Sequence, residues 1–91
     1  MKYEVLQTRR FSRAYKRLHN NQVAQVNSVI DEISSNPGMG TQKRGDLARL
    51  FVVKFKVNQQ EFLLGYTRQD QLKLVYLEAL GSHENFYRDL K

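Results

Sequence analysis

The sequence predicts a small α+β domain, an antiparallel sheet with helices packed on it. Between residues 9 and 34 the apolar side chains recur every three or four positions, and from residue 47 they alternate. The first spacing is the period of a helix and the second that of a strand. The alternating half is interrupted only by the short polar stretches "NQQ" and "QDQ", so neighbouring strands must fold back on each other as a meander. A chain of 91 residues is the size of one hydrophobic core, and residues 1–91 are expected to form a single domain.

Each element follows in order. "KYEVLQ" alternates and reads as a first strand, with Tyr3 and Val5 on one face. Thr8 can accept a hydrogen bond from the opening turn of the helix that follows, "RRFSRAYKRLHN". There Phe11, Ala14, Tyr15 and Leu18 form one stripe, while Arg9, Arg10, Arg13, Lys16 and Arg17 fill the outer positions. After a turn at "HNN", "QVAQVNSVIDEIS" carries Val23, Val26, Ile30 and Ile33 down one side. So short a turn favours an antiparallel helical hairpin. Pro37 and the glycines beside it end the hairpin. In "RLFVVKFKV", Phe51, Val53 and Phe55 are expected to face the helices, which need a single buried face of the sheet. Val52, Lys54 and Lys56 then point the other way. "EFLLGYTR" and "LKLVYLEAL" complete the meander, and Ser82 can cap a last helix running to Leu90. His19, placed at the end of the first helix where a cation suits the helix dipole, is assigned a structural role.

Charge narrows the partners. The net charge of +6 is unevenly spread. Residues 1–19 carry six Lys/Arg against Glu4, and residues 43–56 carry five against Asp46. Between them, residues 20–42 hold only Asp31 and Glu32. Two basic blocks of this kind attract a phosphate polymer or an acidic protein segment. The chain has no cysteine, which excludes disulfides and thiolate metal sites, and no long apolar run, so neither a signal peptide nor a membrane span is expected. A cytoplasmic location fits these features.

The residues permit one kind of chemistry better than others. The two histidines, His19 and His83, lie far apart in sequence and no carboxylate cluster has ligand spacing, so no metal and no cofactor is expected. RNA cleavage needs neither, because the 2′-hydroxyl of RNA can attack its own phosphate. What such cleavage needs is a proton acceptor, a proton donor and cations beside the growing charge. Histidine suits the proton transfers, with an ordinary pKa of about 6.5. In "GSHENFYRDLK", His83 and Tyr87 stand four apart and share one helical face. The same stripe suits plain docking of the helix onto the sheet, a task expected of Phe86 and Leu90.

The fragments "KRGDLARLFVVKF" and "LEALGSHENFYRDL", with the order of elements, resemble the RelE/ParE toxin superfamily of bacterial toxin–antitoxin systems over essentially the whole chain. The resemblance implies a small antiparallel sheet with a helical hairpin on one side. It implies a toxin that acts as a ribosome-dependent mRNA endoribonuclease, using the small subunit and mRNA as partners. The alternative within the superfamily is a ParE-like inhibitor of DNA gyrase. A cognate antitoxin is implied either way, with any DNA contact made through it. By the same resemblance Lys54 would stabilise charge at the scissile phosphate and Tyr87 would orient or stack. His83, as in the YafQ branch, would transfer a proton. Lys43 and Arg44 match a basic loop expected to touch phosphate, together with Lys56 and the cations of the first helix. The chain departs from RelE where an arginine is expected and it has Glu61-Phe62-Leu63, and again at Ser82-His83. Arg68 is the candidate replacement.

Overall fold

The computed structural model describes residues 2–45 and 49–90, the side chains of Asp89 and Leu90 excepted. Residues 47 and 48, where the alternation begins, and the expected packing of the Leu90 side chain lie outside the described residues. The alternating half folds as expected into β3 (Phe51–Val57), β4 (Gln60–Gln69) and β5 (Leu74–Ser82), paired antiparallel. Two further strands flank this meander. β1 (Glu4–Gln7) runs parallel to β5, and β2 (Thr41–Gln42) pairs with Phe51 and Val52, giving the order β1-β5-β4-β3-β2. The parallel pair was not legible in the sequence. The chain leaves β1 through two helices, so the strand is under no obligation to run opposite to its neighbour.

α1 (Arg9–Lys16) and α2 (Asn20–Ser35) form the hairpin. Thr8 caps α1 by accepting from the Phe11 N–H at 3.2 Å, and its hydroxyl donates to the Leu77 carbonyl of β5 at 3.0 Å. α1 is shorter than its stripe suggested. Arg17 and Leu18 turn, and the asparagine pair expected in the turn opens α2 instead. His19 therefore stands at the head of α2, not at the tail of α1, and a cation gains nothing from the dipole there. Its backbone N–H donates to Gln22 Oε1 at 2.9 Å, which satisfies one of the groups a helix start leaves open.

Side-chain parity along β3 divides the molecule. Phe51, Val53, Phe55 and Val57 meet Phe11, Val26, Val29 and Ile33 of the hairpin in the larger core. Val52 points the other way into a smaller cluster with Leu50, Leu63, Ala79 and Phe86. That second cluster lies under α3 (His83–Leu90), so the sheet is covered on both faces. The expectation of one buried face is corrected here. Its cause is visible in β4, where Phe62, Leu63, Leu64, Gly65 and Tyr66 are buried in succession, the pattern of a strand packed on both sides.

Tyr66 bolts the segment after α2 to the sheet. Its side chain is fully buried; the hydroxyl donates to the Pro37 carbonyl at 2.7 Å and accepts from the Gly40 N–H at 3.0 Å. Burial raises the phenol pKa, opposed by the Gly40 hydrogen bond. Tyr66→Phe should strand both backbone groups and lower unfolding free energy by about 1–3 kcal/mol in urea melts. The β3–β4 turn carries a different strain. Asn58 and Gln59 both have positive φ, +51° and +71°, the geometry of a two-residue turn that favours glycine at its second position. Gln59→Gly should raise stability by about 0.5–1 kcal/mol, read as a higher urea midpoint at unchanged slope.

Candidate functional site

The face opposite the hairpin holds the site. Lys54 is delivered there by the parity of β3, between Val53 and Phe55, which turn to the larger core. β2 pairs only with Phe51 and Val52, so it leaves the outer edge of β3 uncovered at Lys54 among the described residues. His83 is the first residue of α3, directly after β5 ends at Ser82, and Tyr87 follows one turn later. Lys43 comes from the segment after β2, held by its backbone N–H donating to the Leu50 carbonyl at 2.9 Å. Its ammonium lies 5.3 Å from the centre of the Tyr87 ring, a cation–π distance.

These four side chains line one open hollow of about 350 Å³, with Thr41 at its rim and Val52 and Leu63 on its floor. The imidazole near the end of the chain and the amine of the middle strand therefore do converge, and both are exposed. Glu61 stands beside them, with Oε1 3.8 Å from His83 Nε2. The pairing of β3 with β4 sets Glu61 opposite Lys56. Glu61 drew attention in the sequence only as a departure. Its nearness to His83 follows from a register that pairs Phe62 with Ser82, which no spacing within one strand reveals.

Two ammonium groups, an imidazole, a phenol and a carboxylate around an apolar floor can hold an anion and pass protons beside it. Among the described residues no group of three or more His, Cys, Asp or Glu could hold a metal ion. No described helix is long and apolar enough to cross a membrane.

Other candidates lie elsewhere. Arg68 sits on the hairpin side, 5.5 Å over the Phe51 ring, so it cannot stand in for an arginine in the hollow. Its Nε donates to Asp70 Oδ1 at 2.7 Å, and the Tyr3 hydroxyl donates to the same oxygen at 2.9 Å. The Arg68 hydrogen bond, then that of Tyr3, holds the Asp70 carboxyl below its usual range, and the same pairing raises Arg68. This is a clip fastening the start of β1 to the β4–β5 turn. Arg9, Arg10, Arg13 and Lys16 are exposed on α1 and Arg17 just after it, on the hairpin face, so none lines the hollow. Arg44 and Lys56 are exposed close to the hollow without lining it.

A family model of ParE-like toxins of type II bacterial toxin–antitoxin systems matches residues 5–91. The chain belongs to that family. The toxin also shares its fold with solved RelE structures. The RelBE2 toxin–antitoxin complex of Mycobacterium tuberculosis aligns with TM-score 0.80 at 21% identity, over 91% of this toxin and 100% of that chain. A double mutant of Escherichia coli RelE in the free state gives 0.74 at 18% identity, over 92% and 86%. The archaeal RelE–RelB complex of Pyrococcus horikoshii gives 0.63 at 15%, over 90% and 96%. No curated protein sequence matches the toxin significantly.

The helix that carries His83 and Tyr87 is seated by one close approach. A Cβ on Gly65 would lie 2.9 Å from Phe86 Cζ and 3.1 Å from Leu50 Cδ1. Gly65→Ala should lift Phe86 from the sheet at a cost of about 1–3 kcal/mol, and amide exchange in α3 should quicken more than in α2.

Proposed function

We propose that the toxin is an endoribonuclease that cuts mRNA on the ribosome without a metal ion. The observation that carries this reading is the convergence of His83, Lys54, Lys43 and Tyr87 on one open hollow. The 2′-hydroxyl oxygen bonds to the adjacent phosphorus as the bond from phosphorus to the 5′-oxygen breaks, leaving a 2′,3′-cyclic phosphate and a 5′-hydroxyl. One proton leaves the attacking oxygen and one arrives at the departing oxygen. His83, exposed at the rim, serves one of these transfers. Lys54 and Lys43 face the charge that grows on the phosphate oxygens. Tyr87 orients the nucleotide or stacks on its base. Arg44, Lys56 and the α1 cations would meet phosphates of the mRNA and of the small ribosomal subunit, on two sides of the toxin, in the cytoplasm. A cognate antitoxin, bringing an acidic or amphipathic segment, would cover these surfaces and make any DNA contact.

A second reading has specific support. The matching family is ParE-like, and Glu61, Phe62 and Leu63 stand where a RelE-type site expects an arginine. That reading is a gyrase inhibitor with no nuclease activity.

Primer extension on cellular mRNA soon after induction, beside a gyrase supercoiling assay, separates the two. Cuts in mRNA with normal supercoiling are expected; intact mRNA with blocked supercoiling would overturn the nuclease. His83→Ala and Lys54→Ala should each slow cleavage by about 10²–10³, and full toxicity in both would remove these residues from the mechanism.

A further inference from the structure

The backbone places His83, but little holds its ring. The imidazole side chain is 58% exposed and belongs to neither packed cluster. Among the described residues its one polar partner is Glu61, with Oε1 3.8 Å from Nε2. That partner stands on a firm element. β4 is paired on both edges, and Phe62 and Leu63, which follow Glu61, are buried. Parity puts Glu61 on the face of Leu63, two residues on, and therefore on the face of the hollow. The register that joins Phe62 to Ser82 brings the adjoining residues, Glu61 and His83, side by side. Lys56 is the cross-strand neighbour of Glu61 on its other side. The carboxylate thus stands in a row between an ammonium and an imidazole.

This placement has a chemical consequence for the ring. A carboxylate only accepts hydrogen bonds. The nitrogen that faces it must carry hydrogen, so the neutral imidazole keeps its lone pair on Nδ1. Lys54 and Lys43 across the hollow offer donors alone, and neither can hold a ring N–H. Nor could an arginine in the place of Glu61, since a guanidinium also only donates. The separation of 3.8 Å is longer than a hydrogen bond. Such contacts at a site without substrate commonly shorten once substrate fills it.

We infer that Glu61 is a positioning residue that holds His83 by Nε2–H and leaves Nδ1 as the base, an inference that rests on the nuclease reading above. The 2′-hydroxyl proton passes to Nδ1 as the 2′-oxygen bonds to phosphorus. The 5′-oxygen leaves with the electron pair of its bond to phosphorus and takes a proton from solvent water. The hydroxide so formed recovers the proton from His83, which restores the ring. While the imidazolium lasts, the Glu61 carboxylate balances its charge.

Glu61→Gln keeps the shape but can donate as well as accept, so it no longer fixes the tautomer. On ribosomes carrying mRNA, this variant should lower kcat by about 10–100-fold and leave KM unchanged. Added to His83→Ala, the same change should have no further effect, because its action runs through the ring. An unchanged kcat, or a separate multiplying loss in the double variant, would overturn the inference. So would a lower KM at unchanged kcat, the mark of a carboxylate that merely repels RNA. A second measurement does not depend on cleavage. In the ¹⁵N-labelled toxin at about pH 9, where an imidazole is neutral, the His83 ring signals should show hydrogen on Nε2 alone. In Glu61→Gln the two nitrogen signals should move towards each other as both tautomers populate. Identical spectra overturn the positioning role. A wild-type toxin that cuts no mRNA would instead fail the nuclease reading, and the spectra would still decide whether Glu61 holds the ring.

Discussion

The seat of the Phe86 ring against Gly65 is the contact on which the face with the candidate site depends. Phe86 is 1% exposed and packs with Leu50, Val52, Leu63 and Ala79. It is the only fully buried side chain of α3 among the described residues. Helices of eight residues do not hold together on propensity alone. This one exists because a ring lies on a strand that has no Cβ in its way. His83 precedes that anchor by three residues and Tyr87 follows it by one, so both are positioned by a single packed group. The smaller cluster is thus a foundation for a surface, and the larger core lies beneath the hairpin.

Much of this arrangement was legible in the sequence, and what escaped has physical reasons. The facing of Phe51, Val53 and Phe55 towards the helices, with Lys54 opposite, follows from a period of two and was read correctly. The Thr8 cap and the start of α3 after Ser82 were also visible, because both depend on local chemistry. Register, in contrast, is a property of two strands. The approach of Glu61 to His83 and the parallel seat of β1 both depend on pairings between distant residues. Arg68 is a different case. The register shift opposite Gly65 and Tyr66 passes over Glu78 of β5, so β4 keeps its alternation. Arg68 falls on the side of Phe62, Leu64 and Tyr66, as counting along the strand gives.

Charge is distributed on both sides of the sheet with different character. On the α3 side, lysines 43, 54 and 56 are few, and they lie near an imidazole and a carboxylate. On the hairpin side, α1 offers a row of exposed cations with no acidic residue in its first turn. The first arrangement suits discrimination of one phosphate among many; the second suits attraction at a distance, which salt would weaken. A polyanion could thus be drawn to the toxin by one surface and handled by another.

The parallel pairing of β1 with β5 ties Glu4 to Leu74 and Gln7 to Leu77. Contacts of such long reach form late, since the loop between them must close before they contribute. During synthesis the amino-terminal strand has no partner until the final strand has been made, and its Thr8 anchor waits for the same Leu77 carbonyl. A nascent toxin is therefore an unfinished sheet for most of its translation. The candidate site, part of which is carried on the helix after β5, is assembled at nearly the same moment as the bond that closes the fold.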